Sequence, residues 1–450
     1  MISIICSACG SGAPTPVPTP SALPSPTTIP TPVAGTLCVD PSVDLGPISP
    51  LVYGSNYGPW LAVSLAMLPA VRDSGVTILR FPAGSWGDNN DVKTYQIDQF
   101  MSFIKDMDAG AMINVRLKNG TPQQAAEMVR YVNIEKKYNV SYWGIGNEPG
   151  LYAREMNEVY DSERFNREWR AIAEAMLAVD PEIQLVGPEF HQFSFDTVHS
   201  TNYSEDTARD SAGRLWMDEF LKANGDLVDV VSFHRYPFPL GPTSGPPSAD
   251  ELRQNAREWD SIIIRLRGLI HETTGRDLPI AVTEFNSAYN KSVGGDTTPD
   301  SHYNAIWLAD VLGRLIRNGV FMSNQWMLTS KGGFGGWGLV GPSEPHPSFY
   351  VYQLYRKFGD QLVYASSDDL DLSIYAARAA DDSLTIIVIN LSFDQKTKPL
   401  RIEGVDGARA EAWMLDPTHH AENMGSVDLS AVLTIPPESM TLYILPAEHP

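Results

Sequence analysis

The sequence is poor in cysteine and in positive charge. Its 450 residues hold three cysteines, all within the first 38 positions, so the rest of the chain has neither a disulfide framework nor a cysteine-based metal site. Lysine and arginine number 33 against 54 acidic residues, which gives a net charge of −21. This balance argues against nucleic acid or an anionic membrane surface as the main partner. The net charge does not exclude neutral substrates.

Beyond the N-terminus, the sequence also lacks an apolar run long enough to span a membrane. The N-terminus holds a short apolar segment, residues 2–5, and small residues directly before Cys9. That order resembles the end of a lipoprotein signal, in which Cys9 would carry the lipid, although the charged start of such a signal is missing. Either the true start lies upstream or this is an unprocessed cytosolic tail. We expect a protein that is secreted or lipid-anchored at the cell surface, because a tether follows.

That tether covers residues 13–36, which are almost entirely Pro, Thr, Ser, Ala and Val. Repeated Thr-Pro and Ser-Pro steps favour extended polyproline geometry and bury nothing, so the segment is a semi-rigid spacer or a plain disordered tail. With a signal remnant at 1–12, folded structure is expected from residue 37. We expect a barrel domain over 37–358 and a smaller domain over 359–450.

Eight apolar segments of strand length recur in the larger part, separated by helical patterns. The strands are predicted at 52–56, 77–82, 111–117, 142–147, 183–188, 227–234, 280–285 and 321–328. Helices are predicted at 60–74, after Thr121-Pro122, and at 163–179, 215–223, 252–270 and 305–316. Polar residues follow each strand. This order is typical of an α/β protein with a (β/α)8 TIM barrel. A doubly wound sheet is the alternative, but it gives no reason for polar residues after all eight strands.

From about residue 360 the pattern changes to short alternating strands separated by turn residues. The segments are 362–364, 374–377, 384–390, 410–414 and 441–444. Alternation with this spacing predicts a small antiparallel β-sandwich. The leading segment near 37–45 is a candidate to pair with it.

Two of the predicted barrel strands end in a glutamate. Strand four runs into Asn147-Glu148-Pro149, and Pro149 should end it because proline cannot donate to a ladder. Strand seven ends at Glu284. Alone, Asn-Glu-Pro is a weak motif, and a plain strand-to-loop turn explains it about as well. Two glutamates at strand ends of one barrel are what a carboxylate-based barrel enzyme needs.

Together these motifs resemble the retaining glycoside hydrolases of clan A. Asn147-Glu148-Pro149 on strand four, His234-Arg235-Tyr236 on strand six and Glu284 on strand seven carry the resemblance. Residues 39–41, 48–50, 53–54 and 79–84 are similar to families 39, 51 and 79 of that clan, apart from Ala83, where relatives often have glycine. The resemblance implies a TIM barrel beside a β-sandwich and a carbohydrate substrate, with Glu148 as acid/base and Glu284 as nucleophile. No cofactor is implied.

The chemistry of retention fits two strand-terminal glutamates. It needs carboxyl groups about 5–5.5 Å apart, one ionised as nucleophile and one protonated as acid. We expect Arg80 and Tyr236 near Glu284, where they favour its charged form. Glu148 shares the barrel mouth with that negative charge and is expected to hold its proton longer.

Four candidates for substrate binding lie on or beside these strands. Asn147 would hydrogen-bond the sugar 2-hydroxyl. His234 and Tyr236 are two residues apart, so they face the same side of one strand. Arg80 is equally well explained as a structural ion pair, and His234 almost as well as a core histidine. No metal site is expected, because His234 has no companion ligands in the sequence pattern.

Further candidates are tryptophans and a third carboxylate. Trp326 on strand eight is a stacking floor for a sugar ring or a core residue. Trp86 and Trp337 lie on glycine-rich loops, where we interpret them as subsite walls. Glu189 ends strand five and either contacts substrate or is solvated.

The sequence therefore predicts an exported retaining O-glycoside hydrolase that acts on polysaccharides or their side chains through two glutamates. One rival is a non-catalytic glycan-binding lipoprotein of the cell surface, built on the same barrel. The presence of both Glu148 and Glu284 counts against it. A second rival is a metal-dependent barrel hydrolase, which the scarcity of His and Asp pairs after the strands disfavours.

Lipidation at Cys9 is testable by fractionation. Expressed with an upstream signal in a lipidating host, the protein should sediment with membranes, because a diacylated cysteine adds apolar chains that partition into lipid. The Cys9→Ser variant should be found in the soluble fraction, and a Cys6→Ser variant serves as the control. Equal distribution of the Cys9→Ser variant and the unaltered protein would contradict the prediction.

Overall fold

A computed structural model describes residues 33–193, 208–238, 245–330, 335–405, 409–429 and 432–447. Cys9 and the predicted linker before residue 33 lie outside these ranges. Within the described part of the chain, every helix is too short or too polar to cross a lipid bilayer.

Eight parallel strands form a closed barrel, in which the last strand pairs with the first. After β1 (Leu37–Pro47), the barrel strands are β2 (Gly54–Asn56), β3 (Ile78–Phe81), β4 (Gly110–Val115), β5 (Tyr142–Ile145), β6 (Gln184–Phe190), β7 (Val230–Arg235), β8 (Ile280–Phe285) and β9 (Met322–Gln325). They are the eight strands predicted from apolar segments, with bounds that differ by up to three residues. The predicted TIM barrel is confirmed.

Helices surround the barrel between these strands. They are α1 (Leu68–Arg72), α2 (Trp86–Asn89), α3 (Thr94–Met107), α4 (Pro122–Val129), α5 (Tyr152–Met156), α6 (Ser162–Leu177), α7 (Trp216–Asn224), α8 (Ala249–Thr274), α9 (His302–Arg317) and α10 (Pro347–Tyr355). The predicted start of α4 is confirmed. The Thr121 hydroxyl accepts from the Gln124 amide at 3.2 Å, and the Gln124 side chain accepts from the Thr121 amide at 3.0 Å.

The helix predicted over 60–74 is present only in part. Residues 60–64 form a loop, a short 3-10 helix covers Leu65–Met67, and α1 begins at Leu68. Pro69 is tolerated in the first turn of a helix but not in its interior, so a longer helix through this point is disfavoured. Leu65 is 86% exposed, which shows that the apolar spacing here does not mark a buried helix face.

Apolar side chains fill the barrel near the N-terminal ends of its strands. Six strands contribute one buried residue each to this cluster: Ile78, Met112, Val186, Val230, Ala281 and Met322. The barrel is therefore a packed core at this end. The polar side chains lie at the opposite end of the barrel, where the C-terminal ends of the strands lead into loops.

The C-terminal part forms a second, largely antiparallel sheet of eight strands, in the order β14-β1-β10-β11-β12-β18-β15-β16, with a separate β13–β17 pair. Its strands after the barrel are β10 (Gln361–Ser366), β11 (Leu372–Arg378), β12 (Leu384–Asn390), β13 (Lys396–Lys398), β14 (Leu400–Ile402), β15 (Arg409–Asp416), β16 (His419–Asp428), β17 (Leu433–Ile435) and β18 (Ser439–Leu445). The leading strand β1 joins this sheet, antiparallel to β10 and parallel to β14.

Alternate residues of this sheet face two different cores. Ile374 and Ile386 pack in a core that also holds residues of β17. Their chain neighbours Tyr375 and Ile387 belong to the large core of the barrel. The Tyr375 hydroxyl donates to the Asp310 carboxylate on α9 at 2.6 Å. The sheet thus packs against α9, the helix that connects β8 to β9.

Candidate active site

The polar side chains at the C-terminal ends of the barrel strands form one buried cluster. Arg80 lies on β3, Glu189 on β6, His234 on β7 and Glu284 on β8, while Glu148 lies in the loop after β5. His234 and Glu284 are also register partners on adjacent strands. Because all eight strands run in one direction, residues distant in sequence meet at this end of the barrel.

Glu284 is held by three donors. Its Oε1 accepts from Arg80 Nη1 at 2.8 Å and from the Gly84 backbone amide at 3.1 Å. Its Oε2 accepts from the Tyr236 hydroxyl at 2.9 Å. The side chain is 5% exposed. Arg80 and Tyr236 are therefore where the sequence analysis expected them, next to Glu284.

Glu148 lies on the other side of His234. Its backbone is left-handed, with φ of 49°, and its side chain is 17% exposed, the most open of the cluster's carboxylates. Glu148 Oε1 is 3.0 Å from His234 Nδ1. One oxygen of Glu148 and one of Glu284 lie within 4.8 Å of each other. The two glutamates thus form a close carboxylate pair at the barrel mouth.

Arg80 is the common partner of the cluster. The guanidinium is fully buried and donates to Asn56 at 3.1 Å, to Asn147 Oδ1 at 2.8 Å, and to both Glu284 and Glu189. Since the Asn147 carbonyl oxygen is taken by Arg80, its amide hydrogens are turned elsewhere. The expected ion pair of Arg80 is present, and it lies inside the site.

The structure contradicts one of the two interpretations of Glu189. Its side chain is 0% exposed, so it is not solvated. Besides its ion pair with Arg80, it accepts from Asn114 Nδ2 at 3.3 Å and lies 3.2 Å from His234 Nε2. Glu189 therefore holds Arg80 and His234 in position through these contacts.

The charges of Glu189 and His234 stabilise each other. Burial by itself raises the pKa of Glu189, but the charge of Arg80 and the hydrogen bond and charge of His234 outweigh it and bring the pKa to about 2. Burial likewise lowers the pKa of His234, yet Glu284, Glu148 and Glu189 raise it to about 9. At neutral pH Glu189 is ionised and His234 is protonated.

Glu148 and Glu284 are shifted in opposite directions. Burial raises the pKa of Glu284, and the charge of Glu148 adds to this rise, while His234, Arg80 and Tyr236 oppose it only in part. For Glu148 burial also raises the pKa, but the hydrogen bond and the charge of His234 outweigh it and lower the pKa. The directions of the two shifts are therefore opposite to the expectation that Glu148 holds its proton longer.

Tryptophans line one side of this cluster. Trp326, directly after β9, and Trp86, in α2, are both half-buried. Trp60 lies near both, with its ring centroid 6.1 Å from that of Trp86 and 6.5 Å from that of Trp326. Trp337 is turned to the loop after β8, where its Nε1 donates to the Ala288 carbonyl at 2.7 Å.

Three residues of this region carried no sequence signal of their own. Trp60 lay inside a predicted helix. His191 is buried just after β6 and packs beside Gly150, two residues beyond Glu148. Asp88 was only one polar residue among several in the loop after β3. Identifying Asp88 and His191 requires knowing which loops contact each other, and a single sequence does not contain that information.

Asp88 connects the loops that follow three barrel strands. Its Oδ2 accepts from the Asn147 amide at 2.7 Å and from the Tyr152 hydroxyl, and its Oδ1 accepts from the amides of Leu117 and Lys118 at 2.9 and 3.1 Å. Burial raises the pKa of Asp88, although these hydrogen bonds partly offset the rise. Asp88 therefore fixes the backbone directly before Glu148.

One group of side chains has the spacing of a metal site. Glu148, His234 and Glu284 each offer one ligand atom, and these atoms lie within 4.8 Å of one another. The same atoms take part in the internal contacts of the cluster, and two cations, Arg80 and protonated His234, already lie among the carboxylates. The positive charges of Arg80 and His234 would repel a divalent ion, so the arrangement suits acid–base chemistry better than metal binding.

No family model matches this chain. A curated β-xylosidase of Geobacillus stearothermophilus is 22% identical over 276 residues, which is 56% of this chain and 47% of the relative. The chain thus spans about half the length of that relative.

Solved structures match nearly the whole fold. An α-L-arabinofuranosidase of Thermotoga maritima has a TM-score of 0.72 at 18% identity, covering 91% of this chain and 99% of that one. The bifunctional glucanase-xylanase CelM2 from a metagenome library has a TM-score of 0.70 at 19% sequence identity. A Paenibacillus polymyxa xyloglucanase of glycoside hydrolase family 44 has a TM-score of 0.68 at 17% identity. Each match covers 92% of this chain and 99% of the other chain. These neighbours confirm the fold that the clan A resemblance implies.

The role of Asp88 is testable by a conservative change. Asp88→Asn should lower the free energy of unfolding by about 1–3 kcal/mol, because an amide accepts fewer hydrogen bonds and turns N–H groups toward backbone donors. Asp91→Asn, a change at an exposed carboxylate three residues away, is the control and should have little effect. Chemical denaturation measures both. Equal stability of the two variants would show that Asp88 is not a connecting residue.

The charge on His234 predicts a pH-dependent contribution to stability. Because its folded pKa is about 9 against 6.5 ordinarily, its contribution is fully present below pH 6.5 and is lost as the pH rises through 9. The destabilisation caused by His234→Gln should therefore shrink across this range, by on the order of 3 kcal/mol. Denaturation at both ends measures it, with exposed His271→Gln as the control. A pH-independent difference would mean that His234 is neutral.

Proposed function

We propose that this protein is a retaining O-glycoside hydrolase in which Glu284 is the nucleophile and Glu148 the acid/base. The observation that carries the proposal is the approach of a Glu148 oxygen to a Glu284 oxygen within 4.8 Å at the barrel mouth. Retaining glycosidases hold their carboxyl groups about 5–5.5 Å apart, whereas inverting ones leave about 6.5–9.5 Å for a water. The shorter gap favours direct attack by a carboxylate.

The contacts of Glu284 suit a nucleophile. Arg80, Tyr236 and the Gly84 amide hold its two oxygens in fixed directions, so little reorganisation is needed when one oxygen attacks. That oxygen bonds to the anomeric carbon as the glycosidic C–O bond breaks. Glu148 donates a proton to the departing oxygen. In the second step Glu148 removes a proton from water, which displaces Glu284 and restores both carboxyls.

His234 lies between the two carboxyls in a way that supports a redistribution of the proton. Its Nδ1 is 3.0 Å from Glu148 Oε1 and 3.7 Å from Glu284 Oε2. In the free site the pKa of Glu284 is raised and that of Glu148 is lowered. A bound sugar brings positive charge, developing at the anomeric carbon, to Glu284 and a basic oxygen to Glu148. Both changes favour ionised Glu284 and protonated Glu148, the state that the first step requires.

The remaining candidates have supporting roles in this scheme. Asn147 has its carbonyl oxygen bonded to Arg80, so its amide hydrogens are the groups left to donate to the sugar 2-hydroxyl. Such a contact strengthens as the oxocarbenium ion develops. Trp326 supplies an aromatic face beside Gly84, and sugar C–H groups stack well on such faces.

The substrate class that we propose is a polysaccharide or its side chains, acted on outside the cytoplasm. The similar proteins are described as an arabinofuranosidase, a glucanase-xylanase, a xyloglucanase and a β-xylosidase, all of which act on carbohydrate. The net charge of −21 favours neutral sugars over polyanions. Export and attachment through Cys9 belong to the same proposal, and no nucleic acid partner is proposed.

The two rival functions give different results with simple reagents. A glycan-binding protein without catalysis would turn over no member of a panel of aryl arabinofuranoside, xyloside, galactoside, glucoside and glucuronide. A metal-dependent hydrolase would lose activity in a chelator. The carboxylate pair, with cations rather than vacant ligand positions around it, favours hydrolysis that a chelator does not affect.

The two glutamates should respond differently to removal. Glu148→Ala should keep appreciable activity on a dinitrophenyl glycoside, because that leaving group needs no acid, and azide should restore turnover with the configuration retained. Glu284→Ala should lose several powers of ten on every substrate, and azide should give the inverted glycosyl azide. Rates and proton NMR of the first product measure both.

The control for this pair is Glu272→Ala on the exposed face of α8, which should behave as the unaltered enzyme. Inverted products from the unaltered enzyme would contradict a retaining mechanism. If Glu148→Ala and Glu284→Ala exchange their behaviour, the roles assigned to them are reversed.

A further inference from the structure

A cavity lies where the barrel meets the second sheet, and it is here called the junction cavity. Its volume is about 460 Å³, and the residues that line it include Tyr53, Thr77, Tyr355, Arg356 and Asp360. Tyr53 directly precedes β2 and Thr77 directly precedes β3, so the cavity is at the N-terminal ends of the barrel strands. Because the barrel strands are parallel, the carboxylate pair lies at the other end of the barrel. The junction cavity is therefore separate from the candidate active site.

Both parts of the molecule build the junction cavity, and backbone hydrogen bonds fix its walls. Ile48, directly after β1, donates its amide to the carbonyl of Asp360, directly before β10, at 2.8 Å. The Asp360 amide donates to the Arg378 carbonyl of β11 at 3.0 Å. On the barrel side, the Thr77 amide donates to the Tyr53 carbonyl at 2.9 Å. The cavity is therefore formed before any ligand binds, which lowers the entropic cost of binding.

The hydroxyl of Tyr53 is the first group in the junction cavity that suits a ligand. Its ring packs against Tyr355 at a centroid distance of 6.1 Å, and the Tyr355 hydroxyl donates to the Ala309 carbonyl at 2.7 Å. Among the described residues, no group hydrogen-bonds to the Tyr53 hydroxyl, and burial alone raises the pKa of Tyr53. Buried tyrosine hydroxyls usually have a partner, so this one is free to bond a ligand.

Two charged side chains of opposite sign border the same cavity. Arg356 directly follows α10, Asp360 directly precedes β10, and both are exposed. Within the described part of the chain, neither side chain has a hydrogen-bond or ion-pair partner, and they do not pair with each other. A guanidinium only donates hydrogen bonds and a carboxylate only accepts them. Together the two groups offer donors and acceptors with no net charge.

This set of groups selects a neutral ligand with several hydroxyls. An anion would be repelled by Asp360 and a cation by Arg356, whereas a neutral polyol can accept from one and donate to the other. Neighbouring hydroxyls of a sugar ring match the forked guanidinium and the two carboxylate oxygens. The Tyr53 ring supplies an aromatic surface for the C–H groups of such a ring. The volume of the cavity lies in the range of small-molecule sites, about 300–1,000 Å³.

We propose that the junction cavity is a second, non-catalytic binding site for a neutral sugar residue. The ligand class is derived from Tyr53, Arg356 and Asp360, so the inference does not depend on the proposed glycosidase function. A sugar bound here lies at the end of the barrel opposite to Glu148 and Glu284, so it is not cleaved. If the protein is a glycosidase, the cavity holds it on a polymer while a different segment enters the barrel mouth.

Calorimetry tests the binding site directly. The hexasaccharides of xylose, glucose and arabinose are titrated into the full-length Glu284→Gln protein, in which the nucleophile is removed. At least one of them should show a binding event that Arg356→Ala and Tyr53→Phe, added separately, each weaken by about 3- to 10-fold, because each removes hydrogen bonds to the ligand. The hexasaccharide of galacturonic acid should bind more weakly, because Asp360 repels its carboxylates.

The matched controls are Arg167→Ala, at an exposed arginine of α6, and Tyr95→Phe, at a tyrosine of α3 that is 59% exposed. Both should bind the hexasaccharides as the parent does. The proposal is overturned if no neutral hexasaccharide binds, if Arg356→Ala and Tyr53→Phe bind as tightly as the controls, or if the galacturonic acid hexasaccharide binds as tightly as the neutral ones.

Kinetics separate failure of this inference from failure of the proposed function. Arg356→Ala should hydrolyse an aryl glycoside at the unaltered rate, but it should be several-fold slower on an insoluble polysaccharide of the same sugar. Equal losses on both substrates would indicate a structural effect and overturn the inference. If nothing is hydrolysed but binding depends on Arg356 and Tyr53, the cavity is a sugar site and the catalytic proposal is wrong. If glycosides are hydrolysed but binding does not depend on these residues, only the inference about the cavity is wrong.

Discussion

The buried ion pairs of Arg80 are the interaction on which the barrel mouth depends. A charged guanidinium with no exposure to solvent is costly unless anions compensate it, and here Glu189 and Glu284 do so from two sides. Two further N–H groups of the same side chain donate to Asn56 and Asn147. One arginine thus links four loops or strands, and removing its charge would leave two buried carboxylates repelling each other.

Charge balance then determines how many protons the site holds. Arg80 and His234 supply two positive charges, and three carboxylates surround them. Glu189, with a pKa of about 2, is ionised throughout the neutral range, so the cluster is neutral when Glu148 and Glu284 share one proton. The double displacement proposed above uses one such proton. In that reaction a bound substrate would change the charges around His234 and thereby the position of the proton.

The strands and the two glutamates were predictable because parallel strands bring their ends together whatever the intervening chain does. The direction of each side chain was not. Glu189 was expected either to contact substrate or to be solvated, but its backbone has a φ of 63° and a register shift beside it, and its side chain is buried against Arg80. Trp60 lay within an apolar spacing typical of a helix, but Pro69 restricts that helix to a few residues. Local backbone conformation decided both cases.

The solvent exposure of the side chains in the cluster increases from Arg80 to Glu148. Arg80, Glu189 and His234 are closed to solvent, Glu284 is 5% exposed and Glu148 is 17% exposed. A nucleophile benefits from a dry environment, since water would compete for its lone pairs. An acid/base must exchange a proton with water in every cycle, so it needs access to solvent. Asp88 holds the backbone directly before Glu148 through the Asn147 amide. Substrate and water would therefore approach the pair from the side of Glu148, with Glu284 behind it.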